Sequence, residues 1–167
     1  MSEPADFGCV ITATGIVRDP ERAQLVDEHL DTLIAVTALL GAAPIVVVHD
    51  GTVRVAAPAR GFAMPRAGRD DLSALRVGLM QLTNSAVGAA LIVPIEMHDV
   101  SVALLKQMIG DARSRRVGLV AVDRRGSWGF PLFATRDSWR ELMTTEGNLE
   151  AVLRLLGPQV LAIESEE

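Results

Sequence analysis

Ala89-Ala-Leu-Ile-Val-Pro-Ile-Glu96-Met-His-Asp-Val-Ser101 is the stretch whose reading decides the fold. Ala89 to Pro94 shows no polar alternation, so it predicts a strand buried on both faces. Glu96 follows at once, where a carboxylate can point into the space beyond the strand end. Ser101 then stands before a helical pattern running to about Ala112, in the position of an N-cap. Arg113, Arg115 and Arg116 fall at the end of that helix, where the macrodipole favours cations. Asp99 reads as a residue that caps or precedes the helix.

The same grammar extends in both directions. Upstream, Gly8 to Ala13 predicts a strand that leads into a polar loop. Gln24 to Leu40 has helical spacing and is closed by Gly41. Pro44 to His49 is a β-branched run of buried-strand type, and Val53 to Ala56 reads as a further short strand. Arg60 to Arg69 reads as a loop. Asp70 to Asn84 reads as a helix in which Gly78, a costly residue there, hints at close packing. Downstream, Val117 to Val122 predicts a strand, Asp123 to Trp128 a turn and Pro131 to Phe133 a short strand. Asp137 to Met143 and Leu149 to Leu156 predict helices, and Gln159 to Ile163 a last strand. Strands alternating with helices imply an α/β fold with a mostly parallel sheet. The link between Val122 and Pro131 is too short for a helical crossover, so that pair should be antiparallel and the sheet mixed. Residues 1–163 are expected to form one domain, followed by an acidic tail, 164–167.

Composition narrows the class. The chain has 167 residues, is 49% hydrophobic and only 4% aromatic, so its core is aliphatic. The net charge of −5 argues against nucleic acid as a partner, because a phosphate backbone demands a basic face. No apolar run reaches the roughly 18 residues of a membrane span, and no charged-then-apolar leader opens the chain. The single cysteine, Cys9, cannot form an internal disulfide and suits a reducing, cytoplasmic setting. Of the 16 basic residues only Lys106 is lysine. There is no Walker A sequence, no G-x-S-x-G and no Cys/His cluster of zinc type.

In open parallel sheets the ligand crevice lies at the carboxyl ends of the strands. The loops that matter are then 14–23, 60–69, 95–100 and 123–131. Several carry quotable motifs: Ile11-Thr-Ala13-Thr-Gly15-Ile-Val-Arg18, Gly68-Arg-Asp-Asp-Leu-Ser73-Ala-Leu-Arg-Val-Gly78-Leu, the central stretch above, Gly129-Phe130-Pro131-Leu-Phe, and Glu146-Gly147-Asn148-Leu149.

In order and spacing these segments resemble the molybdenum-cofactor nucleotidyltransferases (MobA-like). That family writes them as L-A-A-G-x-S-x-R-M-G, G-x-x-S-L-x-x-G-L, A-L-V-L-L-G-D-x-P-x-V-S, G-H-P-x-L-F and S-G-D-x-G. The resemblance spans Val10 to Ile163 and is better from Ala89 onward than before it. It implies a three-layer α/β/α fold with a mixed sheet of about seven strands. It also implies transfer of CMP or GMP from CTP or GTP to a phosphorylated pterin, with Mg²⁺. Carried over position by position, Glu96 and Asn148 are the catalytic, metal-side candidates. Ala13, Gly15, Arg18 and Ser73 are the nucleotide-side candidates, and His98 and Phe130 the substrate-side ones.

The departures fall on these same positions. Glu96 replaces Asp and reaches one methylene further; its other reading is a surface carboxylate. His98 replaces Pro and reads as a second ligand, a proton carrier or a loop residue. Asn148 replaces Asp, which removes one charge from a site for a hard cation; its other reading is a helix cap. The first loop lacks its second Gly and its Lys, and Arg18 comes one residue early. Phe130 replaces His and offers packing only. With Trp128 it makes an apolar lid, a patch for a protein partner or for self-association, or plain core or rim packing. Several lesions at one site point to weakened or lost catalysis with nucleotide or partner binding retained. An active enzyme with a divergent site, and a non-catalytic interaction module, are the alternatives.

Overall fold

The computed structural model describes residues 6–14, 20–51, 53–64, 71–96 and 100–163. The elements are β1 (Phe7–Ala13), α1 (Pro20–Leu39), β2 (Ile45–His49), β3 (Arg60–Ala63), α2 (Asp71–Leu82) and β4 (Ala89–Pro94). They continue with α3 (Val102–Arg115), β5 (Leu119–Arg124), β6 (Ser127–Thr135), α4 (Arg136–Thr144), α5 (Leu149–Leu156) and β7 (Gln159–Ala162). The seven strands form one sheet in the order β3-β2-β1-β4-β6-β5-β7. β6 alone runs against its neighbours; every other pairing is parallel.

Each strand buries two faces because helices cover both. Cys9, Ile11 and Ala13 of β1 share one apolar cluster with Leu30, Leu33 and Ile34 of α1 and with Leu105, Met108 and Ala112 of α3. Val10 faces the other way, into a cluster with Leu75 and Leu79 of α2, Leu142 of α4 and Val152 of α5. The arrangement is therefore α/β/α in three layers. All six residues of β4 and all seven of β1 are buried, which is why they lack polar alternation. Gly78 lets α2 settle on the sheet: a Cβ there would come within 2.2 Å of Val10 Cγ1.

Two expectations need correction. The strand expected at Val53 to Ala56 is absent, and β3 lies at Arg60–Ala63, inside the stretch read as a loop. Val53 and Val55 serve instead as half-buried packing against the α1/α3 cluster. β3 is an edge strand with all four residues exposed, so burial imposes no apolar pattern on it. It is held by its parallel register on β2, Val46 opposite Arg60 through His49 opposite Ala63. The second correction concerns β6, which spans nine residues rather than three; its first two residues and the last two of β5 come from the expected turn. Arg124 pairs with Ser127, so only Arg125 and Gly126 turn the chain. Both have positive φ, 55° and 89°, as a two-residue hairpin of I′ type requires.

Candidate functional site

The parallel strands bring Ala13, His49, Ala63, Glu96 and Asp123 to one end of the sheet, together with Ser127 at the start of the reversed β6. Parallel pairing runs one residue past β4, where the Ile95 amide donates to the Thr12 carbonyl at 2.9 Å. Glu96 follows it, exposed, and makes no hydrogen bond or ion pair with any described residue. Gly15, Arg18, His98 and Asp99 lie outside the described residues, as do 65–70.

Helix α2 reaches the same end. Leu82 packs against Gly8 and Gly78 against Val10, so the helix runs antiparallel to β1 and its first turn lies beyond Thr12. That turn contains Ser73, half-buried. Beneath it, Thr12 is 2% exposed, and its Oγ1 has no hydrogen-bond partner among the described residues. By strand alternation its side chain shares the α2 face with Val10. Ala13 faces the opposite cluster and is fully buried, so it presents only backbone to a ligand.

Asn148 arrives by another route. α4 leaves the far end of β6 and climbs back to Thr144; α5 then descends from the crevice end to Gly157. Two contacts fix that end of α5 to the hairpin: Ser127 Oγ to Glu150 at 3.3 Å, and Arg154 to the Gly126 carbonyl at 2.7 Å. The Asn148 side chain caps α5, its Oδ1 accepting from the Ala151 amide at 2.9 Å. Ahead of it Gly147 has φ +125°, a conformation that favours glycine. Glu96 and Asn148 thus share one end of the sheet, but Asn148 already spends a lone pair on its own helix.

Phe130 is 3% exposed and packs in the α2/α4/α5 cluster. Its carbonyl accepts from Arg124. Trp128 is half-buried under the Arg154 guanidinium, which lies 3.7 Å from the ring centroid. Asp123 Oδ1 accepts from the Gly126 amide at 2.6 Å and closes the hairpin. These are packing and turn contacts.

For Mg²⁺ the donor set is thin. Among the described residues no three His, Cys, Asp or Glu gather closely enough to hold a metal ion. The exposed Glu96 and Glu146 carboxylates and one capping amide do not gather into the cage of oxygens that a hard cation prefers. The described residues therefore do not fit a resident Mg²⁺.

Two residues of this region were not among the sequence candidates, His49 reading only as a structural or solvated residue at a strand end. His49 ends β2 beside Ala13, and its Nδ1 accepts from the Gly51 amide at 3.0 Å. The neutral ring then carries its proton on Nε2. Gly61 leaves space for that nitrogen, which would lie 2.9 Å from a Cβ at that position. Arg76, the other, ties α2 to the end of α4. A hollow of about 700 Å³ lies at the opposite end of the sheet, lined by Phe7, Gly88, Arg113, Arg116 and Gly118 among others. It gathers none of the candidate site residues.

No family model and no curated protein matches the chain. Solved structures do match. Rv0371c from Mycobacterium tuberculosis H37Rv superposes with a TM-score of 0.72 at 14% identity, over 98% of this chain and 91% of that one. A manganese complex of Rv0371c matches at 0.67 and 16%, over 96% and 89%. A nucleotidyl transferase from Methanothermobacter thermautotroptrophicus gives 0.67 and 16%, over 96% and 88%. CMP:2-keto-3-deoxy-manno-octonic acid synthetase complexed with CTP gives 0.69 and 9%, over 95% and 90%. The chain thus shares the α/β fold of these proteins, a nucleotidyl transferase among them. Among the described residues no helix is long and apolar enough to cross a membrane.

Proposed function

We propose that the chain binds a nucleoside triphosphate, CTP or GTP, at the carboxyl end of its sheet, and that its nucleotidyl-transfer activity is weakened or lost. The observation that carries this reading is Asn148. It stands where the resembling family has a metal-binding Asp, and its side-chain oxygen is committed to the Ala151 amide. The scaffold around it is intact, with Glu96 free at the end of β4 and Ser73 in the first turn of α2. Fold neighbours that include a CTP complex support a nucleotide as the ligand, and one solved as a manganese complex supports a divalent cation beside it. The motif order supports the molybdenum-cofactor branch, with a phosphorylated pterin as the acceptor where turnover survives.

The chemistry left to the chain's own groups is binding and orientation. Backbone amides at the strand ends and at the start of α2 are donors for phosphate oxygens. Glu96 is an exposed, uncommitted carboxylate for a cation that enters with the triphosphate. Calorimetric titration with CTP, GTP and ATP, each with and without Mg²⁺, tests the reading. Micromolar binding of one nucleotide is expected, and Glu96→Ala should abolish whatever part of the affinity depends on Mg²⁺. Absence of binding by all three would overturn the proposal and turn attention to protein partners or self-association. Turnover with pterin acceptors at the rate of an ordinary enzyme would overturn the weakened-catalysis half alone.

A further inference from the structure

We infer that Arg76 is a positioning residue that aligns the Asn148 segment with helix α2; the inference rests on the nucleotide-binding reading above. Arg76 sits half-buried in α2, three residues beyond Ser73. Its Nε donates to the Leu142 carbonyl at 3.1 Å, and one terminal nitrogen donates to the Thr145 carbonyl at 2.6 Å. These carbonyls belong to the last turn and C-cap of α4, where a helix leaves acceptors without intrahelical donors. Arg76 forms no ion pair with any described residue. Its charge is satisfied by two carbonyl dipoles across 66 and 69 residues of sequence.

The place it grips is what matters. Thr145 opens the short connection that turns through Gly147 and delivers Asn148 to the first turn of α5. The connection has little slack: a Cβ at Gly147 would lie 3.3 Å from Ala151 Cβ. One planar fork therefore joins the helix that carries the nucleotide-side Ser73 to the segment that carries Asn148. Lysine could do this only in part, because a single ammonium lacks the two fixed donor directions. Arg76 touches neither Ser73 nor Asn148. It acts by holding the spacing between them, and displacements of about 1 Å at a site can cost 10²-fold.

Arg136 supplies the control. It is also an arginine clamp on carbonyls, donating to those of Val87, Leu82 and Ser85, but at the other end of the sheet. The test compares Arg76→Gln, Arg76→Lys and Arg136→Gln with the full wild-type chain. CTP and GTP affinities are measured by calorimetry with Mg²⁺, and hydrogen exchange is followed at the Ala151 and Val152 amides, which Asn148 holds. Arg76→Gln should weaken the bound nucleotide at least tenfold and speed exchange at both amides, and Arg76→Lys should recover part of each. Arg136→Gln should lower the melting temperature and leave the affinity unchanged. Equal affinities in wild type and Arg76→Gln, or unchanged exchange at Ala151 and Val152, would overturn the Arg76 inference alone. A wild type that binds no nucleotide would overturn the underlying reading and this inference together. Should Arg76→Gln fail to fold, Arg76→Lys decides by the same two readouts.

Discussion

The two ends of the sheet account for their polar groups differently. At the amino end the connections are stitched. The Arg136 guanidinium takes up carbonyls of the α2–β4 connection and lies 4.8 Å from the Trp139 ring centroid. The Gly118 carbonyl accepts from the Thr135 amide, the Thr135 hydroxyl and Ser138 Oγ. At the carboxyl end Glu96 is unengaged, and the Thr12 hydroxyl is buried without a partner among the described residues. A fold satisfies its buried polar groups wherever it can. The buried Thr12 hydroxyl left over at one end, beside the strand ends where α/β sheets bind ligands, marks the end that serves something other than stability.

The largest effect that probes this contrast comes from Cys9. It is fully buried in β1, and burial pushes its thiol up to about 12 from 9.0, against a smaller lowering by Thr37. A thiol raised in the folded state stabilises below its unfolded value, and that stability is lost as pH climbs through the folded value. Stability should therefore fall between about pH 9 and 12, by up to about 4 kcal/mol at about 1.4 kcal/mol per unit. The chain has no tyrosine and one lysine, so few other side chains titrate in that window. Chemical denaturation from pH 8 to 11.5 should show the loss in wild type and much less of it in Cys9→Ala. An identical slope in both would mean that this half of the sheet is less sealed than its burial indicates.

Next comes Arg136→Ala, which removes several charge-assisted hydrogen bonds at a partly exposed site. A loss of about 2 kcal/mol is expected from thermal or urea unfolding. Nucleotide affinity should not move. If affinity falls as well, the two ends are coupled and the contrast drawn here breaks.

Asn148 offers a smaller and more pointed test. Asn148→Ala removes an N-cap and should cost about 1 kcal/mol. Asn148→Asp keeps the cap, places a carboxylate at a helix start where the dipole welcomes it, and restores the charge lost relative to the resembling family. Its stability should equal or slightly exceed that of wild type, and its nucleotide affinity should become more dependent on Mg²⁺. A variant that is equally stable but no more responsive to Mg²⁺ would place Asn148 outside metal reach.

Much of the fold was legible because burial writes itself into sequence. The unbroken apolar runs of β1, β2 and β4 mark the middle of the sheet, and Ser101 does accept the Leu104 amide as an N-cap should. α5 begins and ends where Asn148 and Gly157 say it should. β3 was illegible because an exposed edge strand is specified by its partner's backbone, not by its own side chains. β6 was under-read because Ser127, Trp128 and Gly129 look like a turn until Arg125 and Gly126 are seen to need only two residues. In the site, Glu96 and Asn148 could be placed at the crevice end from motif order alone. That Asn148 is a working cap could be weighed from the sequence but not decided. The role of Arg76 could not be read at all, since its acceptors are backbone carbonyls more than sixty residues away, which no side-chain pattern reports.

The smallest expected effect bears most directly on why one end is left unsatisfied. Thr12→Val replaces a hydroxyl by a methyl of nearly the same shape. If the buried Oγ1 has no partner in the free protein, removing it relieves a desolvation cost, and stability should rise by up to about 1 kcal/mol. A lower stability would mean that the hydroxyl is already bonded in the free protein, and the contrast between the two ends would weaken there. The nucleotide titration then separates two explanations of the orphan. A ligand that reaches beneath the first turn of α2 would use the hydroxyl, so Thr12→Val should be more stable and bind less tightly. More stability with unchanged affinity would make Thr12 a cost the fold carries without return, and would move the nucleotide outward, toward Glu96 and the hairpin.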